Sequence, residues 1–336
     1  MDEPENHSQL SKIPHYNLWV GVFVAVMLTG MGLFYYATQK VEYIWGWYRI
    51  PTYFLYKGDI NTVAEFNGRI RSIEIKGEKA VITLKGAEES EIFTVPASSV
   101  KVKEGDSISE ADVLASYKKW KAGLLIVGLW LTIKLSAIAT ILGVLIGIIG
   151  GLCRISSNPA LKWLTIVYIE LIRGSPLLVQ IIIWYYVLGT VINDLLALYG
   201  IGRIPAFWYG VASLACFAGA YVTEIVRAGI QSIHLGQIEA SRSLGMTYMQ
   251  SMRYIILPQA LKRILPPLAG QFISLIKDSS LLGVMAISEL LKSTREAVAA
   301  SLMPFELYFL CAILYLFMTF SLSMFVQYLE KRMATT

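Results

Sequence analysis

The chain has 336 residues, of which 55% are hydrophobic and 16% charged, and its formal net charge is +5. A soluble protein of this length does not need so much apolar surface, and several runs reach the roughly 20 apolar residues of a membrane-spanning helix. The positive charge is spread over loops, which indicates membrane topology rather than nucleic-acid binding. Three cysteines in or beside apolar runs exclude a disulfide framework.

The first 57 residues change character twice. Residues 1–17 are polar and of mixed charge, which predicts a disordered N-terminus. Leu18–Thr38 predicts a first transmembrane helix, because it is too long for a removed signal peptide and lacks a small-residue cleavage site. Residues 39–57 are aromatic but contain Arg49 and Pro51, so an interfacial segment is predicted rather than another span.

Residues 58–115 predict a small β-rich module. Short β-branched runs alternate with turn signals at Gly68, Gly77, Gly86 and Gly105. Residues 100–115 resemble one half of a barrel-sandwich hybrid of the lipoyl or biotinyl type. The lysine that carries the cofactor in those hairpins is missing, so no swinging cofactor is expected.

The remainder, residues 120–332, predicts a helical transmembrane domain. The fold class is therefore an all-α polytopic membrane protein, with about six transmembrane helices and one inserted β-rich module. The glycine-rich run at 143–151 has no lysine for a nucleotide-binding loop, and it predicts close packing between helices. The five further spans are predicted at Ala122–Leu152, Ile181–Leu198, Phe207–Val226, Leu265–Ile287 and Phe305–Leu329.

Lysine and arginine placement predicts the orientation of the chain. Ten basic residues fall in loops on one side, and the positive-inside rule makes that side cytoplasmic. Both termini are then cytoplasmic, and the β module is extracytoplasmic. The ten residues are Arg154, Lys162, Arg173, Arg227, Arg242, Arg253, Lys262, Arg263, Lys331 and Arg332.

Residues 236–258 form a polar island between apolar runs. Gly245 predicts the left-handed end of a short helix, and a second helix is expected to run until Pro258, where a helix is disfavoured. The island predicts a helix–turn–helix projection with apolar contacts from Ile238, Leu244, Met249, Met252 and Ile255. From periodicity alone, an amphipathic loop lying on lipid is an equal alternative.

The island resembles the cytoplasmic EAA loop of ABC importer permeases, with Glu239, Ala240, Ser241, Gly245, Ile255, Leu257 and Pro258 at matching positions. Three further stretches, at 168–180, 256–268 and 272–283, resemble the polar amino acid permease family of the histidine, glutamine and glutamate type. The resemblance implies a five-helix type I importer core with a coupling loop at 227–263. It also implies that Glu239, Ala240, Ser241 and Gly245 contact an ATPase, while Ile255, Leu257 and Pro258 fix the returning helix.

The resemblance further implies the partners of the chain. These are a pair of ATPase subunits, an identical or related second permease subunit, an extracytoplasmic solute-binding protein, a polar amino acid and membrane lipid. ATP and magnesium are expected on the ATPase, and no cofactor, metal or catalytic residue is expected on this chain. The expected location is the bacterial inner membrane. The β module is expected either to help dock the binding protein or to act as a passive spacer.

Polar residues within spans are candidates for the substrate pathway, because burying them in lipid is costly. These candidates are Tyr221, Gln271, Lys277 and Asp278. Glu170 with Arg173, and Glu224 with Arg227, are interpreted as structural pairs one helical turn apart.

Two alternative functions remain open. The first is an ion-gradient-driven secondary transporter or channel that uses Lys277, Asp278 and Glu224. The second is a membrane anchor whose working part is the β module.

Overall fold

The computed structural model describes residues 16–87 and 89–334 and divides along the chain into two units, with the boundary between Trp47 and Tyr48. Nearly all of the segment predicted to be disordered lies outside the described residues. The first unit contains α1, Tyr16–Lys40, whose 25 residues include no acidic side chain in the first turn. At 1.5 Å per residue, α1 is about 38 Å long, which is sufficient to cross a bilayer.

The second unit opens with a short helix, α2 (Pro51–Phe54), and continues into six strands. β1 and β6 pair as an antiparallel two-stranded ribbon, and the other four form an antiparallel sheet in the order β4-β3-β2-β5. Ile70, Ile82, Leu84 and Leu114 are fully buried between them. The strands are β1 (Leu55–Val63), β2 (Gly68–Lys76), β3 (Lys79–Lys85), β4 (Ser90–Pro96), β5 (Ser107–Ile108) and β6 (Val113–Ala122).

The ribbon joins the helical domain without a linker. The Gly123 N–H donates to the Phe54 carbonyl at 2.6 Å, and α3 begins at Leu124. A side chain at Gly123 would lie 2.2 Å from the Tyr53 carbonyl oxygen, so the close approach requires glycine here. The strands run from Leu55 to Ala122 and so extend beyond the predicted 58–115. The prediction missed these strand ends because lysines and aromatic residues at the base of the ribbon do not follow the alternation of apolar and polar residues that a strand normally shows.

The helical domain follows β6. Its elements are α3 (Leu124–Ile155), α4 (Pro159–Arg173), α5 (Leu177–Ile182), a π-helical segment (Ile183–Gly189), α6 (Thr190–Leu198), α7 (Ala206–Gln231), α8 (Leu235–Ser243), α9 (Tyr248–Ser251), a second π-helical segment (Met252–Ile256), α10 (Leu257–Asp278), a 3-10 segment (Ser279–Met285), α11 (Leu290–Ser301) and α12 (Pro304–Ala334).

Five helical stretches among the described residues are long and apolar enough to span a membrane. They are α1, α3, residues 177–198, α7 and α12, which match five of the six predicted spans. The prediction of Leu265–Ile287 was wrong in its bounds, because α10 starts at Leu257 and its α-helix ends at Asp278. Four charged residues and the internal pair Pro266-Pro267 make α10 less apolar than its neighbours. Pro266 and Pro267 are both exposed, and the α-helix continues through them.

The glycine-rich face of α3 packs against α7. Gly143, Gly147 and Gly151 are buried there, and an added side chain at Gly147 would lie 2.3 Å from the Val222 Cβ. Small residues allow two helix backbones to approach this closely. The prediction of close helix packing is confirmed, and this contact sets the orientation of α7, which carries the residues described below.

Candidate functional site

The polar island forms a helical projection, defined here as residues 235–251. The imidazole Nδ1 of His234 accepts the Gly236 N–H at 3.0 Å and caps the start of α8. α8 ends at Ser243 and is followed by Gly245, whose φ is +76°. The N–H groups of Gly245 and Met246 donate to the Arg242 and Ser241 carbonyls. A left-handed glycine with this pair of hydrogen bonds is a common helix C-terminus.

The turn leads directly into a capped second helix. The Thr247 hydroxyl accepts the Gln250 N–H, while the Gln250 side chain accepts the Thr247 N–H at 2.8 Å. Such a reciprocal pair satisfies two backbone donors that would otherwise lack partners. The helix–turn–helix projection predicted from the sequence is therefore present.

A hydrogen bond between two buried serines connects the two helices of the projection. The Ser241 and Ser251 hydroxyls lie 2.7 Å apart, and the two residues are 3% and 1% exposed. Ile238 and Met252 pack inward against a buried cluster that includes Ile230 of α7 and Ile256. The inner side of the projection is thus fixed to the helical domain.

The projection carries exposed apolar side chains, and Tyr248 and Met249 line an apolar cavity of about 910 Å³ with Leu152 of α3 and Leu257 of α10. Four large side chains expose more than half of their surface: Leu235 (70%), Leu244 (81%), Tyr248 (56%) and Met249 (70%). Glu239 and Ala240 are exposed on the same short helix. The burial of these residues differs in part from the prediction. Ser241, Ile238 and Met252 were predicted to make outward contacts but face inward. Tyr248 and Leu235 were not predicted as contacts but are exposed.

The returning helix passes Pro258 without a break, so the expectation that it ends there was wrong. Residues 252–256 form a π-helical turn in which the Leu257 N–H donates to the Met252 carbonyl, five residues back. Pro258 then occupies the first turn of α10, where its missing N–H costs little. Among the residues predicted to fix this helix, Ile255 is half-buried and Leu257 is 37% exposed, and the buried residue is their neighbour Ile256.

A polar cavity of about 540 Å³ lies beside α7 and α10. The Glu224 carboxylate binds Arg227 at 2.7 Å and approaches Arg154 at 3.7 Å. The Arg173 guanidinium stands 5.1 Å from the centre of the Tyr221 ring. The polar and charged side chains that line the cavity are Arg173, Tyr221, Glu224, Arg227, Ser232 and Arg263.

The predicted pathway residues are not brought together. Tyr221 lines the polar cavity, whereas Lys277 lines a second cavity of about 300 Å³ with Ser280, Tyr308 and Tyr315. Gln271 and Asp278 are half-buried on α10 and line neither cavity. Glu224 and Arg227 form the predicted pair, but Glu170 and Arg173 do not, because Arg173 turns to the Tyr221 ring.

A buried carboxylate was missed by the sequence argument. Glu289 is 0% exposed and caps α11 by accepting the Leu291 and Lys292 N–H groups at 2.8 Å. The Tyr315 hydroxyl of α12 donates to the same carboxylate at 2.9 Å. A glutamate directly before the apolar pair Leu290-Leu291 was the available signal, since a capping side chain precedes a helix.

Comparison with known proteins covers the helical domain. Residues 143–335 match the family described as binding-protein-dependent transport system inner membrane component. The probable glutamine ABC transporter permease protein GlnM of Bacillus subtilis (strain 168) is 39% identical over 206 residues, which are 61% of this chain and 91% of that protein. The glutamine transport system permease protein GlnP of Escherichia coli (strain K12) is 37% identical over 210 residues, which are 62% and 93% of the two chains.

A solved structure agrees with these sequence relatives. A protein described as an amino acid ABC transporter with histidines superposes with a TM-score of 0.55 and 41% identity, covering 62% of this chain and 94% of that one. The β module lies before residue 143, outside the family match. Because the match spans more than half of the chain and includes the helical projection, the protein belongs to the family of binding-protein-dependent transport system inner membrane components.

Proposed function

We propose that the chain is the transmembrane permease subunit of an ATP-driven ABC importer for polar amino acids. The named permease relatives are glutamine transporters, and the family is one of inner membrane transport components. The expected partners are two ATPase subunits that carry ATP and magnesium, a second permease subunit, identical or related, and an extracytoplasmic binding protein. The chain would reside in the bacterial inner membrane with both termini in the cytoplasm.

The helical projection carries this proposal. A short helix transmits a displacement only if it moves as a rigid body, and the Ser241–Ser251 hydrogen bond and the two helix caps supply that rigidity. Its exposed Leu244, Tyr248 and Met249 are the apolar anchors that a partner groove would bury. Glu239, Ala240 and the Gly245 turn complete the contact surface. The buried Ser241 stabilises that surface through its hydrogen bond to Ser251.

The polar cavity is the proposed inner part of the substrate route. Arg154, Arg173, Arg227 and Arg263 outnumber the one carboxylate of Glu224, so the site favours an anionic group. Every α-amino acid offers a carboxylate, and arginine is well suited to bind it. Lys277 and Ser280 of the second cavity, with Gln271 and Asp278 nearby in sequence, would serve an outer part of the same route.

Site-specific photocrosslinking tests the partner contact. A photoreactive residue at Leu244 should crosslink a polypeptide that peptide mass analysis identifies as an ATPase with a nucleotide-binding motif. Leu198 is a matched control, because it is 80% exposed against 81% for Leu244 but lies at a distant helix end. Crosslinking of Leu244 to lipid alone, or equally to the ATPase from both positions, would contradict the proposal.

A further inference from the structure

The β1–β6 ribbon is divided into a charged and an uncharged half. Its base, Leu55–Asp59 paired with Lys118–Ala122, contains four lysines and one aspartate. Its upper half, residues 60–63 and 113–117, contains no charged residue. The rest of the module, residues 64–112, has ten acidic and seven basic residues. A positive base therefore supports an acidic head.

The charges at the base are available to a partner. Lys57, Lys118 and Lys119 are exposed, and none of the four lysines forms an ion pair within the described residues. The Lys57 ammonium lies 5.2 Å from the centre of the Trp120 ring, which is itself 62% exposed. Lys121 spans the ribbon to the Asp59 carbonyl at 3.1 Å.

The fold places this base at the membrane surface. Gly123 is the single residue between β6 and α3, and Ile50, Tyr53 and Phe54 pack against the cluster that contains Leu125 of α3. Outward-facing apolar residues recur along α3 from Leu124 to Leu152. That stretch is about 42 Å long, which matches the about 40–45 Å thickness of a bilayer with its headgroups. The lysines thus stand at the level of the lipid headgroups, where tryptophan is also favoured.

We infer that the base of the ribbon binds the headgroups of anionic phospholipids in the leaflet that faces the β module. The lysines neutralise the phosphates, and Trp120 and Tyr56 enter the interface beside them. The ribbon is joined to α3 through one glycine, so lipid binding at its base holds the acidic head at a set distance above the bilayer. The inference does not rest on the transported substrate or on the side of the membrane.

Fluorescence quenching in nanodiscs tests the inference on the full-length chain. The chain has eight tryptophans, so the Trp120 signal is taken as the difference between the protein and its W120F variant. We expect brominated phosphatidylglycerol to quench this signal at least about twofold more than brominated phosphatidylcholine at equal mole fraction, because the attraction is electrostatic. In about 1 M salt, where the screening length is about 3 Å, the preference should fall toward one.

Matched variants separate the base from the head. Replacing Lys57, Lys118, Lys119 and Lys121 by glutamine should abolish the preference, measured again with and without W120F. Replacing Arg69, Lys76, Lys79 and Lys85 of the head by glutamine removes the same charge and should preserve it. Equal quenching by the two lipids in the unmodified chain, or a preference that survives the ribbon substitutions, would overturn the inference. Circular dichroism and the thermal midpoint verify that each variant is folded.

Discussion

Gly245 illustrates how one residue can matter through its backbone alone. A Cβ at this position would meet nothing within 4 Å, so a side chain here would not clash with the turn. The cost comes instead from the φ of +76°, which side chains of L residues rarely adopt. A substitution therefore acts by unwinding the end of α8 rather than by steric contact.

The chain contains a matched glycine for testing this explanation. Gly200 has a φ of +69° and equally open surroundings, but it lies in the loop after α6. We expect G245V to lower ATP-dependent uptake by the assembled transporter at least about tenfold, while G200V, with a similar backbone cost of about 1–2 kcal/mol, retains most of it. Uptake in proteoliposomes is the measurement. Equal losses in both variants would show that strain, and not the projection, limits transport.

Ser241 and Ser251 should be energetically coupled. Removing one hydroxyl leaves a buried partner with one hydrogen bond fewer, which costs about 1–3 kcal/mol. The double variant S241A/S251A removes both groups, so its loss of unfolding free energy should be smaller than the sum of the single losses. Denaturant unfolding in detergent supplies the four values. Strict additivity would show that the 2.7 Å contact does not stabilise the projection.

Arg173 should contribute to substrate affinity. If it binds the substrate carboxylate, R173Q removes a charge-assisted hydrogen bond of about 1.5–3 kcal/mol and raises the KM of uptake at least about tenfold. Basal ATP hydrolysis by the complex should not change. R203Q, which removes an exposed arginine far from the cavity lining, is the control. An unchanged KM in R173Q would remove Arg173 from the substrate route.

Among the helices, the pairing of α3 with α7 is the contact most sensitive to side-chain size. A β-branched residue at Gly147 would place its Cβ 2.3 Å from the Cβ of Val222 on the neighbouring helix. We expect G147V to destabilise the chain by about 1–3 kcal/mol or more, since overpacking forces backbones apart. The same change at Gly32 of α1, which has no atom within 4 Å, should leave the thermal midpoint nearly unchanged.

The sequence predicted those features that depend on the size or backbone freedom of single residues. Residues at 143–151 indicated close packing by their size, and Gly245 indicated a helix end by its lack of a side chain. The path of the chain past Pro258 was not predictable, because the residues of the π-helical turn at 252–256 do not differ in type from those of an ordinary α-helix. The bounds of α10 were also missed, since its charged residues and its two internal prolines lower its apparent hydropathy.

The polar cavity was beyond sequence reasoning for a different reason. Glu224 and Arg227 are neighbours on α7, and their pairing follows from spacing alone. Arg173 and Arg263 join them and Tyr221 only through the packing of α4 and α10 beside α7. Spacing therefore suggested two separate ion pairs, whereas the fold makes a shared site.

At the scale of the whole molecule, two functions are separated along the chain. The helical domain carries the family match from residue 143, with the projection at one end and the ribbon at the other end of α3. The β module is an addition outside that match. Its deletion at Tyr53 and Leu124 would remove the lipid contact while leaving the projection and the polar cavity intact.

Uptake of a labelled polar amino acid into proteoliposomes tests the central claim most directly. One set contains this chain alone, and the other contains it with the second permease subunit and the ATPase pair, and with the binding protein on the opposite face. We predict concentrative uptake only in the complete set, only with ATP, and with no response to an imposed proton gradient. Concentrative uptake by the isolated chain, driven by a proton gradient and indifferent to ATP, would contradict the account.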